Sequence, residues 1–230
     1  MSRAHTMILT LAATLCAGCA RTPAGVTPGQ QTLVTFEVQV AGSVSVDPNA
    51  YYYIVIDTDN DPTDGPVPVV ARPWGNGYAA GSYTHYILYR PGAGFRVFQS
   101  ADENHTENTY IGPPLQAGVG TTNRPSDTLI IQIDRSQIAT VNPDVRALDV
   151  NVIATDRVPL DPQEVTPKTV DGLGGSGNEF VTIPLTFTTT YANGVDPDPG
   201  HPEGPNDAPG LAAHPNLDLT NWRFTVQTNR

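Results

Sequence analysis

Residues 51–77, YYYIVIDTDNDPTDGPVPVVARPWGNG, decide how the chain is read. Tyr51, Tyr52, Tyr53, Ile54, Val55 and Ile56 form an unbroken aromatic and β-branched run. A run without polar alternation suits a strand covered on both faces, or one at the centre of a sheet. At Asp57 the composition changes at once. Asp57, Asp59, Asp61 and Asp64 fall within eight residues, with Asn60 among them. Carboxylates at alternate positions of a tight loop can converge their oxygens on one hard cation, and calcium prefers such cages. The D-x-D-x-D spacing also opens an EF-hand loop. Here Pro62 stands where that motif needs Gly, and Pro68 where it needs Glu, so no EF-hand is present. Two readings stay open: a calcium site, or a solvated acidic turn in which Asp and Asn supply Asx turns.

Past the acidic loop the chain is rich in rings: Trp74, Tyr78, Tyr83, Tyr86 and Tyr89. Exposed rings stack on the apolar faces of sugars, which makes Trp74 and Tyr78 candidate ligand-binding residues. Packed against a sheet, the same rings are core.

Further strands lie on either side. Residues 33–40 (LVTFEVQV) alternate, with Val34, Phe36, Val38 and Val40 on one face and Thr35, Glu37 and Gln39 on the other. Residues 83–90 and 95–99 flank Pro91-Gly92-Ala93-Gly94, a hairpin signal. Residues 100–124 are polar and read as an irregular loop. Residues 128–134 (TLIIQID) predict a strand followed by a helical turn over 135–139. In 148–155 (LDVNVIAT), Leu148, Val150 and Val152 alternate with Asp149 and Asn151 on the polar face. Residues 156–177 read as loop. Pro184 restricts the strand at 180–189 to an edge or a bulge. Residues 193–216, rich in Pro, Asp and Gly, read as an extended loop prone to disorder. Residues 222–227 (WRFTVQ) form the last strand. No helical period persists over three turns. Short strands separated by Gly/Pro loops predict an all-β chain: a single antiparallel β-sandwich over residues 31–230, immunoglobulin-like in its strand rhythm.

Residues 1–18 read as a signal peptide, with Arg3 before an apolar core too short to span a bilayer. Leu15-Cys16-Ala17-Gly18-Cys19 resembles the lipobox of bacterial lipoproteins, although Cys16 stands where Leu is usual. The resemblance implies lipidation of Cys19 as the mature N-terminus. With Ala20 next, it implies the outer membrane in a Gram-negative envelope. Residues 19–30 then form a flexible tether. The chain has two Cys, Cys16 and Cys19, so the mature domain expected from this processing has no disulfide. Net charge is −11, and −12 once Arg3 is removed. That excludes nucleic acid as a partner, because phosphate binding needs a basic surface.

The strand ending in IDTD, the later LIIQID strand, NVIATD and Asp171-Gly172-Leu173-Gly174 resemble the DOMON-like sandwiches related to family-nine carbohydrate-binding modules. The resemblance implies binding of haem or sugars, with structural calcium in some members. Cytochrome members ligate haem through Met and His. Met1 and Met7 are the only methionines and both lie in the signal peptide, so that ligation is excluded for the mature chain.

No G-x-S-x-G or H-E-x-x-H frame appears, and His85, His105, His201 and His214 are dispersed. His201 and His214, with Asp196, Asp198 and Glu203, could chelate a metal, but the Pro/Gly content of that tract favours a solvated loop. The expectation is a non-catalytic, lipid-anchored envelope module. Its partners would be the membrane through the anchor and a glycan, a small ligand or an envelope protein, with calcium as the candidate cofactor. The alternative is a structural envelope lipoprotein with no small ligand.

Overall fold

The computed structural model describes residues 31–102, 104–121, 124–174, 179–195 and 202–229. The strands run β1 (Gln31–Val40), β2 (Tyr51–Asp57), β3 (Pro66–Pro68), β4 (Ala79–Gly81), β5 (His85–Arg90), β6 (Gly94–Ser100) and β7 (Asn108–Gly112). Then follow β8 (Gln116–Thr121), β9 (Arg124–Asp134), the helical turn α1 (Arg135–Ile138), β10 (Ala147–Thr155), β11 (Val170–Gly172), β12 (Val181–Pro184), β13 (Thr189–Ala192) and β14 (Leu219–Asn229). They form an all-β sandwich. One sheet has the order β13-β14-β1-β9-β8; the other has the order β11-β10-β2-β5-β6-β7, with β12 also on β10. β3 and β4 make a separate hairpin.

Alternation builds the core. Val34, Phe36, Val38 and Val40 of β1 point inward, as their spacing predicts, beside Leu129, Ile131 and Ile133 of β9 and Trp222, Phe224 and Val226 of β14. Phe36 is paired with Phe224 across the ladder, and their rings meet edge to face at 5.4 Å. The second sheet answers with Tyr52, Ile54, Ile56, Leu148, Val150 and Val152. Each such side chain contributes about 1.5–3 kcal/mol by leaving water.

β2 lies between β10 and β5 and is covered twice. Its even-numbered residues enter the sandwich. Tyr53 and Val55 enter a second apolar cluster with Tyr78, Ala79, Tyr83, Tyr86 and Ile153, formed where the chain after β2 folds back over the outer face of the sheet. This double cover is the physical reason for the unbroken apolar run.

Three local expectations are corrected. Residues 100–124 are not irregular throughout, for they contain β7 and β8; both are sheet-edge strands with few apolar residues, so their sequence carries little period. Asp149 and Asn151 do not face solvent. They are 1% and 0% exposed, because the chain after β2 closes over that face, and Asn151 Nδ2 donates to Pro66 O at 2.9 Å. Residues 156–177 include β11. Of the late loop, residues 202–216 pack onto the fold with Glu203 and Leu211 buried; Asp196, Asp198 and His201 lie outside the described residues. The helical turn is present as α1. There Asp134 accepts from Ser136 N, and Gln137 Oε1 accepts from Asp134 N, a capping box.

Candidate metal centre

The rigid end of β2 fixes the first carboxylate. Asp57 is fully buried; its Oδ1 accepts from Thr58 N at 2.6 Å and Asp59 N at 3.3 Å. The loop then repeats one local device. Asp59 Oδ1 accepts from Asp61 N at 2.7 Å, and Asp61 Oδ1 accepts from Thr63 N at 3.0 Å and Thr63 Oγ1 at 2.7 Å. These are the Asx turns that Asp supplies in loops. They occupy only one oxygen of each carboxylate. Asn60, at φ 71°, turns its Oδ1 toward Arg146 N at 2.6 Å and so pins the loop to the start of β10.

One oxygen each from Asp57, Asp59 and Asp64 lies within 4.8 Å of the others. Asp61 is outside this group, its Oδ1 taken by Thr63. Three of the four acidic candidates are therefore brought together. Asp57 Oδ2 is buried without a hydrogen-bond partner. Burial raises the Asp57 carboxyl above its ordinary pKa; the nearby Ser82 hydroxyl and the backbone amides oppose the rise, and Asp59 adds to it. Partial desolvation raises Asp64 in the same direction, and Asp59 and Asp61 add like charge.

Sequence reasoning missed Asp149. It stands directly opposite Asp57 in the ladder and accepts a short hydrogen bond from Thr182 Oγ1. Burial pushes Asp149 up to about 6, with Asp57, Asp59 and Asp64 adding to the rise. An oxygen-only donor set carrying this much negative charge suits a hard divalent cation such as calcium, with Asp149 beside the first three carboxylates.

Trp74 and Tyr78 are buried, 4% and 6% exposed. Trp74 Nε1 donates to Glu164 O at 2.8 Å, and Lys168 Nζ donates to Gly77 O at 2.7 Å. Tyr78 stacks on Tyr53 with ring centroids 4.4 Å apart. Gly77 is required here: its φ is 88°, and a Cβ would sit 2.7 Å from Pro159 O. Stacking on a sugar needs an open ring face, and neither of these rings presents one. Cys19 lies outside the described residues.

One histidine meets a serine. Ser100 Oγ and His105 Nδ1 are 2.8 Å apart, while His105 Nε2 faces Gly81 O at 3.1 Å and the ring stacks on Tyr83 at 3.7 Å. A carbonyl only accepts, so Nε2 donates to Gly81 O, and Nδ1 shares the other hydrogen bond with Ser100 Oγ. Between Ser100 Oγ and Gly81 O, the ring ties the loop between β6 and β7 to the end of β4. His85 is fully buried between Thr84 Oγ1 and Thr140 Oγ1, and burial lowers it to about 4, so it is neutral at pH 7.

The fold and this centre define an all-β sandwich with a carboxylate cluster at the end of its central strand. Comparison with protein-family models, with curated proteins and with solved structures finds no match.

Proposed function

We propose that the chain is a lipid-anchored envelope β-sandwich that works by binding and is stabilised by calcium held at Asp57, Asp59 and Asp64, with Asp149 beside them. The observation that carries the calcium reading is the buried, unpartnered Oδ2 of Asp57, on a carboxylate that converges with those of Asp59 and Asp64 and has no ion pair to any described basic residue. A plain solvated turn leaves its carboxylates in water, whereas Asp57 is wholly out of it. The anchor rests on the lipobox-like segment ending at Cys19.

The burial of Trp74 and Tyr78 favours an envelope protein over a glycan as the partner. Leu160 and Val165, 85% and 71% exposed on the loop that packs over Trp74, are side chains a protein surface can cover. The same burial also supports the second reading, a structural envelope lipoprotein with no small ligand.

Thermal unfolding tests the calcium reading. An ion that binds only the folded chain stabilises it by about 2.7 kcal/mol at a hundredfold excess over its Kd. Tm rises in millimolar calcium, falls in chelator and responds less to magnesium, which demands a tighter octahedral site. A Tm indifferent to calcium and chelator at low salt leaves the loop a plain acidic turn. For the anchor, Cys19→Ser leaves the protein unprocessed or releases it from the membrane fraction; unchanged membrane association without acyl labelling contradicts lipidation.

A further inference from the structure

A second carboxylate group lies toward the other end of β10. Asp171 on β11 is paired with Ala154, five residues along β10 from Asp149, or about 17 Å at the rise of an extended strand. Asp171 Oδ1 accepts from Gly172 N at 2.9 Å, and its Oδ2 accepts from Leu219 N at 2.7 Å. Leu219 opens β14, so this one carboxylate joins the two sheets. Glu203 Oε1 accepts a short hydrogen bond from Gly174 N, and Asp207 Oδ2 accepts from Gly204 N at 3.1 Å. One oxygen each from Asp171, Glu203 and Asp207 lies within 4.8 Å of the others. Glu203 is 7% exposed, and its Oε2 has no hydrogen-bond partner; nor has the buried Asp207 Oδ1.

We infer that Asp171, Glu203 and Asp207 hold a calcium ion of their own, which fastens the loop containing Glu203 and Asp207 to β11 and, through Asp171 and Leu219, to both sheets. Asp218, 1% exposed, adds negative charge behind them and receives Asn206 N on both its oxygens. The two described ion pairs, Arg157–Glu164 and Arg223–Glu37, leave all four carboxylates uncompensated.

Protons are the competing means of neutralisation. Without an ion, burial and mutual repulsion push Glu203 up to about 9 and Asp171 to about 8. A proton on one carboxyl neutralises that group alone. Asp171 receives two backbone N–H groups, a set of partners that favours its ionised form, and stays buried beside them. A divalent cation compensates all three at once. The donor set is oxygen only, which suits a hard cation such as calcium. The segment is already clipped at one point: Asn193 Oδ1 accepts from Glu203 N at 2.8 Å, and its Nδ2 donates to Glu203 O at 3.1 Å.

Equilibrium calcium binding to the purified full chain tests this site separately from that of Asp57. Two carboxylate groups give two ions per chain. Glu203→Gln keeps an acceptor for Gly174 N and reduces the stoichiometry to one ion, as does Asp207→Asn, a change at a half-exposed position that guards against misfolding. Asp57→Asn removes the other ion and leaves this one. A wild-type chain that binds a single ion lost on Asp57→Asn, or a stoichiometry unchanged by Glu203→Gln and Asp207→Asn, overturns the inference.

Discussion

Asp57 and Asp149 stand directly opposite one another on β2 and β10, both buried. Like charges across a ladder destabilise a sheet, and burial adds the cost of desolvation. The sheet accommodates the pair at the point where the acidic loop returns Asp59 and Asp64 to the same place. A bound cation reverses the sign of that arrangement, turning the repulsion into shared attraction to one centre.

Asp149→Asn follows from this relationship. An Asn Oδ1 still accepts from Thr182, while the charge opposite Asp57 is gone. In chelator the variant is more stable than wild type by about 1 kcal/mol, the scale of a cross-strand charge pair. In calcium its stabilisation by the ion is smaller. Paired urea unfolding curves with and without calcium read both effects, and equal calcium responses for variant and wild type contradict a role for Asp149 beside the ion.

Asp59 and Asp61 separate the site from the turn. Asp59→Ala abolishes the calcium shift in Tm with the far-ultraviolet circular dichroism unchanged. Asp61→Ala loses the bonds to Thr63 N and Oγ1 and keeps the calcium shift, because Asp61 is not among the converging carboxylates. An Asp61 variant blind to calcium beside a responsive Asp59 variant inverts the assignment.

Trp74 is structural in this account. Trp74→Ala removes a buried ring and its bond to Glu164 O and costs about 3 kcal/mol, within the range for large-to-small changes in a core. A stacking residue on an open face would instead be replaced at little cost to stability. Urea midpoints of the two proteins decide between these roles.

His85 supplies the acid limb of the stability profile. Burial holds its folded pKa at about 4, below the ordinary histidine value of about 6.5. A depressed histidine contributes stability that is fully present above the unfolded pKa and is lost as pH falls through the folded one. The window is therefore about pH 6.5 down to 4, and the loss is about 3 kcal/mol at its lower end. The difference in unfolding free energy between wild type and His85→Asn, followed from pH 7 to pH 4, narrows by that order. A constant difference shows that His85 does not titrate with unfolding.

Much of the fold is legible in the sequence because burial follows local period. The alternation of β1 places Phe36 and its neighbours inward, and the unbroken run in β2 announces a strand covered on both faces. β7 and β8 are not legible. As edge strands, NTYIG and QAGVGT are held by ladder hydrogen bonds more than by buried side chains. Asp149 and Asn151 mislead because alternation cannot register that the chain after β2 folds over their face. The first carboxylate group is readable from four acidic residues close in sequence. The second is not, since Asp171 and Glu203 are far apart in the chain and meet only when the late loop returns to β11. Asp171-Gly172-Leu173-Gly174 and Glu203 are visible as separate features, and only tertiary packing brings them together.

The most direct test of the central claim is an experimental structure from crystals grown in calcium, with anomalous diffraction recorded to locate the ion. The account expects an anomalous peak bonded to Asp57, Asp59 and Asp64 at calcium–oxygen distances of about 2.3–2.6 Å. A map without density among these carboxylates, from crystals in millimolar calcium at neutral pH, contradicts it.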